Sequence, residues 1–179
     1  MLALIFLLTT VMTLYIKLLL LYVWMQWTGC NFNNPFLQCA IKITYPIIKP
    51  FQRILSVFRP IDVASLVIAY ILSLLLVPVI LRLLRFESIF FYLALILLVK
   101  SAGSLVFWVV LSRSIMSWMH REANSLDYIL LQLTEPIMVK IRRFIPIIGG
   151  MDFSPMLIIL ILYTIYFIGL EYIPGWTFI

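Results

Sequence analysis

Apolar residues dominate this chain in long uninterrupted runs, broken by shorter segments in which they recur every three or four positions. The long runs are Leu2 to Trp27, Ile61 to Leu81, Ile89 to Trp108 with an extension to Trp118, and Met156 to Ile173. A helix rises about 1.5 Å per residue and the hydrocarbon core of a bilayer is about 30 Å thick, so about 20 residues cross it. Each run is near that length or beyond it, and the pattern predicts four transmembrane helices. The first run lacks a basic leading segment and a small-residue cleavage site, and it is too long for a secretory signal. It is expected to remain as a span.

The intervening segments carry a different period. In the first, Leu37, Ala40, Ile41, Ile47, Ile48, Phe51, Ile54 and Leu55 form one stripe; in the second, Leu126, Ile129, Leu130, Leu133, Ile137, Ile141, Phe144 and Ile145 do so. Lys42, Lys49 and Arg53 gather opposite the first stripe, and Glu135 and Arg142 opposite the second. This predicts amphipathic helices, lying either in the membrane interface with the basic side toward head groups or packed on the ends of the spans. Pro46 and Pro136 interrupt the two stripes at matching places. Proline removes a backbone donor and crowds the preceding turn, so a helix, a bend and a second short helix are expected in each connector.

Those prolines belong to an internal repeat. At an offset of 90 residues Asn34 meets Asn124, Thr44 meets Thr134, Pro46 meets Pro136, Arg53 meets Arg143 and Asp62 meets Asp152. Each copy reads as span, connector, span: residues 1–83, with spans about 2–27 and 61–83 around connector 34–58, and residues 89–173, with spans about 89–113 and 152–173 around connector 124–148. Two spans per copy make the repeats parallel rather than inverted. The expected fold is an all-α integral membrane protein with four transmembrane helices in two such repeats.

Charge orients it. Only 11% of the residues are charged, against about 25% in soluble proteins, and the mean hydropathy is +1.16. The connector side holds Lys42, Lys49, Arg53, Arg59, Arg121, Lys140, Arg142 and Arg143, whereas the other side has only Arg82 and Arg85. The positive-inside rule puts the connectors in the cytoplasm and both termini on the opposite side. The net charge of +6 is thereby assigned to a membrane edge, with anionic lipids as partners and no direct nucleic-acid contact expected.

Candidate chemistry is sparse. Arg142 and Arg143 suit bidentate capture of an anionic lipid or a partner's carboxylate, and equally suit topology alone. Asp152 and Asp62 begin spans, where a carboxylate accepts backbone N–H groups; alternatively, Asp152 pairs with Arg143 in a cleft for a cation or polar ligand. Lys17 and Lys100 fall inside spans, where a charge marks a functional site or a helix contact, and Ser101, Gly103 and Ser104 give α-helical surface suited to close approach. His120, the single histidine, is expected at the membrane edge, and Cys30 and Cys39 as unpaired thiols. Glycine loops for phosphate, nucleophile elbows and metal-ligand spacings are missing from the sequence, so no cofactor and no enzyme activity are expected.

The segments "RSIMSW" (Arg113 to Trp118), "TEP" (Thr134 to Pro136) and "IRRFIPIIGGMDFSP" (Ile141 to Pro155) resemble the YggT family of small bacterial membrane proteins, whose repeat occurs singly or in tandem. The tandem form covers nearly the whole chain. The first copy departs from it with Tyr22, Gln52 and Arg59-Pro60 in place of the first arginines of two motifs and the Gly-Gly pair. The resemblance implies a multi-pass protein of the bacterial inner membrane. It brings links to osmotic-stress tolerance, to cell division or nucleoid organisation and, in a chloroplast relative, to maturation of a haem-bearing complex. On these grounds the expected role is a non-enzymatic adaptor or assembly factor, working with a membrane-protein partner or as a homo-oligomer. The alternative is an oligomeric channel or transporter.

Overall fold

A computed structural model describes residues 2–30, 35–55, 62–82, 87–118, 125–143 and 152–178. Among them are six α-helices and no strand: α1 (Leu2–Thr28), α2 (Pro35–Leu55), α3 (Val63–Leu81), α4 (Ile89–Trp118), α5 (Ser125–Arg142) and α6 (Ser154–Tyr172), followed by a single 3-10 turn, Trp176–Phe178. Four of these, α1, α3, α4 and α6, are long and apolar enough to cross a membrane. A helix answers its own N–H and C=O groups, which hydrocarbon cannot do, so unbroken apolar sequence of this length settles into that form. The Leu83 to Ser88 turn lies largely outside the described residues, as do His120, Arg121, Arg59, the connector ends at 56–58 and 144–148, and Gly149-Gly150.

α3 is the most enclosed span. Ala64, Ser65, Ala69 and Ser73 are buried along it, and these small side chains let α1 and α4 approach on its two sides. Ile16, Leu19 and Leu20 of α1 meet Ile68, Leu76 and Val77 of α3 and Phe90, Leu93, Ala94 and Leu97 of α4 in the main core. α6 packs on α4 and α5 instead, with Val110, Met138 and Ile158 at their junction. Much of α6, including Leu160, Tyr163, Phe167 and Tyr172, is exposed, as suits a surface solvated by acyl chains.

The two shorter connecting helices, α2 and α5, gather at one end. α5 seats Ile129 and Leu133 against Trp24, Met25 and Cys30 at the close of α1 and against Val109 of α4. α2 touches α1 and α3 along a narrow buried strip, Ala40, Thr44 and Ile48. The start of α3 is held at the same end, because the backbone N–H of Asp62 donates to Gln26 Oε1 of α1 at 2.9 Å.

Neither connector breaks at its proline. α2 runs through Pro46 and Pro50, and α5 through Pro136, as single helices. A proline forfeits one intrahelical bond, and the rest of each ladder holds because the face is packed. Thr44 and Thr134, two residues before the matching prolines, are both fully buried. Thr44 Oγ1 donates back to Ala40 at 2.9 Å and Thr134 Oγ1 to Leu130 at 2.7 Å. Their hydroxyls are satisfied inside their own helices, which lets a polar atom sit against the spans.

Candidate functional site

The corner where α5 gives way to α6 is built on Arg142. Glu135 and Arg142 stand seven residues apart, two helical turns, on one face. Arg142 Nη1 donates to Glu135 Oε1 at 3.0 Å. Its Nε and Nη2 both donate to Asp152 Oδ2, at 3.0 and 2.7 Å. The other oxygen, Asp152 Oδ1, accepts the backbone N–H of Ser154 at 2.9 Å, where α6 begins with Pro155 in its first turn. The latch ties the end of α5 to the start of α6.

Burial alone would raise the Asp152 pKa, but hydrogen bonds from Ser154 and Arg142 and the guanidinium charge outweigh it and hold the carboxyl below the ordinary aspartate range. The hydrogen bond to Asp152, opposed by burial and reinforced by both carboxylates, raises Arg142 further. Arg142 and Asp152 thus stabilise each other's charged forms.

This arrangement corrects the expected pairing of Arg143 with Asp152. One residue of helix is about 100° of rotation, and that step turns Arg143 outward: it is exposed and makes no ion pair among the described residues. Asp152 is engaged by Arg142, and residues 144–151, on which the expected cleft for a cation or polar ligand depends, lie outside the described residues. At the start of α3, Asp62 Oδ1 accepts from Ala64 N at 3.2 Å and Oδ2 from Ser65 Oγ at 3.1 Å, an N-cap. Arg53 lies in α2, with its side chain outside the described residues. Arg142, Glu135 and Asp152 are thus brought together, while Arg143 points away from them.

Lys17 and Lys100, the two lysines of the long apolar helices, lie in a groove of about 850 Å³ between α1, α4 and α6. Lys17 Nζ donates to Ser104 Oγ at 3.0 Å. Lys100 Nζ donates to the carbonyl of Trp176 at 3.1 Å and lies 5.5 and 5.8 Å from the centroids of the Trp176 and Tyr166 rings, within cation-π range. Lys100 therefore anchors the turn that follows α6, whose Trp176 is buried against Gly169. The sequence reading missed Trp176. Its signal was "IPGWTF", a Pro-Gly turn carrying a tryptophan back toward the span it leaves.

Cys30 is buried and Cys39 exposed, both free thiols. Among the described residues no group of three or more His, Cys, Asp or Glu is placed to hold a metal ion.

Relatives align with almost the entire chain. It is 46% identical over 160 residues to a protein named YggT from Escherichia coli (strain K12), covering 89% of this chain and 85% of that one. It is 39% identical over 172 residues to a Vibrio alginolyticus protein named for the region 3' of proC, covering 93% and 89%. A Haemophilus influenzae protein is 31% identical over 153 residues, covering 86% and 83%. No solved structure matches significantly. The CCB3/YggT family profile matches residues 1–84 and 92–173, and the chain belongs to the CCB3/YggT family.

Proposed function

We propose that this protein is a non-enzymatic scaffold of the bacterial cytoplasmic membrane, built from two parallel copies of one unit, whose connector helices collect anionic lipid and present it to partners in envelope assembly. The observation that carries this reading is the surface of α2. Its buried strip seats it on the spans, while Ile43, Ile47 and Phe51 remain exposed alongside that strip and Lys42 and Lys49 on the opposite face. An exposed apolar flank beside a basic edge, at the end of a membrane bundle, matches the boundary between acyl chains and head groups. Arg143 and Lys140 extend that charge on α5, whereas Arg142 is consumed by its own carboxylates. The positive-inside rule makes this the cytoplasmic face.

Each lysine or arginine near an anionic surface contributes about 1 kcal/mol. Reversing two of them in Lys42→Glu/Lys49→Glu is expected to lower retention of phosphatidylglycerol and cardiolipin at least tenfold, read by mass spectrometry of the protein released gently from native membranes. Equal retention by the double variant and the wild type would rule the reading out.

The second reading, an oligomeric channel or transporter, draws on the groove and its two lysines. It requires flux of ions or osmolytes through proteoliposomes that Lys100→Ala alters, and a silent preparation under varied gradients counts against it.

A further inference from the structure

From the groove between α1, α4 and α6 we infer a docking site for a foreign transmembrane helix that carries an aspartate or glutamate near the middle of its span. The site is distinct from the connector surface, and stands or falls independently of what that surface binds.

The inference starts from Lys17. It lies 11 residues before the end of α1, about 16 Å along the helix, which is half the thickness of a hydrocarbon core. Ser104, its hydrogen-bond partner, is at the middle of α4, so the ammonium is held at that depth instead of extending toward an interface. An ammonium has three donors, and among the described residues a single neutral hydroxyl, at 3.0 Å, accepts from it. Thr13, which also lines the groove, donates its hydroxyl to Thr9 within α1. Among the described residues, no Asp or Glu side chain lines the groove. The remainder of the lining is mainly apolar and aromatic, with Phe107, Tyr163 and Leu162 among it. A cation in such surroundings calls for an anion from outside.

Depth selects the occupant. A lipid phosphate or fatty-acid carboxylate belongs at the interface, about 15 Å away, whereas a side chain at the centre of a span arrives at the level of Lys17. The groove floor also permits a helix to approach closely: a Cβ added at Gly103 meets nothing within 4 Å, so this stretch of α4 is open. Small residues of this kind let helix backbones come near one another. The occupant is not a second copy of this chain, because α1, α3 and α4 contain no acidic residue and α6 has only Glu171, next to its last position. Charge complementarity therefore points to a different membrane protein.

The test uses the purified full chain in phosphatidylcholine vesicles with labelled Leu/Ala helices of about 22 residues, carrying Glu at the centre, Glu near one end, or Leu throughout. The centred Glu helix is expected to associate at least tenfold more tightly than the Leu helix by energy transfer. Lys17→Met should abolish that preference and Lys17→Arg should keep it. Gly103→Leu, whose side chain enters open space, should block binding while leaving the charge in place, and it decides the matter if Lys17→Met does not fold. Equal binding of the Glu and Leu helices, indifference to Lys17→Met, equal binding of the end-placed Glu, or displacement of the helix by oleate would each overturn the assignment; the last would give the groove to a fatty acid.

Discussion

Arg142 holds two carboxylates with three of its N–H groups, and that geometry sets both its own role and that of its neighbour. The bond to Asp152 is the stronger arm, since Asp152 is the better shielded partner and is oriented by Ser154; Glu135 is more exposed and more heavily screened. Replacing Arg142 with glutamine, the residue at position 52, removes the guanidinium that both carboxylates share. A loss of about 1–2 kcal/mol in stability is expected, measured by unfolding in detergent. Because the folded Asp152 pKa lies below the unfolded value, its contribution is complete above the ordinary aspartate pKa of about 4. It fades only as pH falls below that value and through the folded pKa. The gap between wild type and Arg142→Gln should therefore be constant near neutrality and shrink in acid. A gap independent of pH down to full protonation would show that Asp152 does not supply it.

The helices differ in how far their packing could be read in advance. The four long helices were legible because an apolar run of about 20 residues has few alternatives, and the connector stripes only in part: Ala40, Ile48, Ile129 and Leu133 are buried, whereas Ile47, Phe51 and Leu126 of the same stripes are exposed. The predicted break at Pro46 and Pro136 failed because one missing donor weighs little in a helix whose face is already seated. The partner of Asp152 depended on one residue of helical phase, and the turn at Trp176 depended on a contact with Lys100 across 76 positions, which no local pattern encodes. That turn gives a prediction of its own. A Cβ at Gly169 would come within 2.7 Å of the Trp176 ring, and because the ring is wedged in the core it cannot yield without leaving. Gly169→Ala is expected to cost about 1–3 kcal/mol and to shift Trp176 emission toward that of a more polar setting, compared in a background without the other tryptophans. Unchanged emission would mean that α6 moves and the turn stays.

At the scale of the whole molecule, the arrangement is a bundle with unlike ends, and the native thiols report which end is which. α2 and α5 share one end with the close of α1 and the start of α3, tied there by Gln26, Asp62, Trp24 and Met25. The proposed orientation, drawn from the positive-inside rule, puts this end in the cytoplasm. Cys39 is exposed on α2, while Cys30 is buried beside Ile129 and Leu133, with its sulfur 3.1 Å from Thr28 Oγ1. A membrane-impermeant maleimide should therefore modify Cys39 in inside-out vesicles and leave it untouched in intact spheroplasts, with Cys30 protected in both until the protein is denatured. A Cys39→Ser chain should remain unlabelled from either side. Labelling of Cys39 from outside the cell would reverse the bundle and detach the basic edge of α2 from the cytoplasmic leaflet. Labelling of Cys30 before unfolding would instead show that α5 leaves its seat on α1, which would make the connector face a moving part rather than a fixed platform.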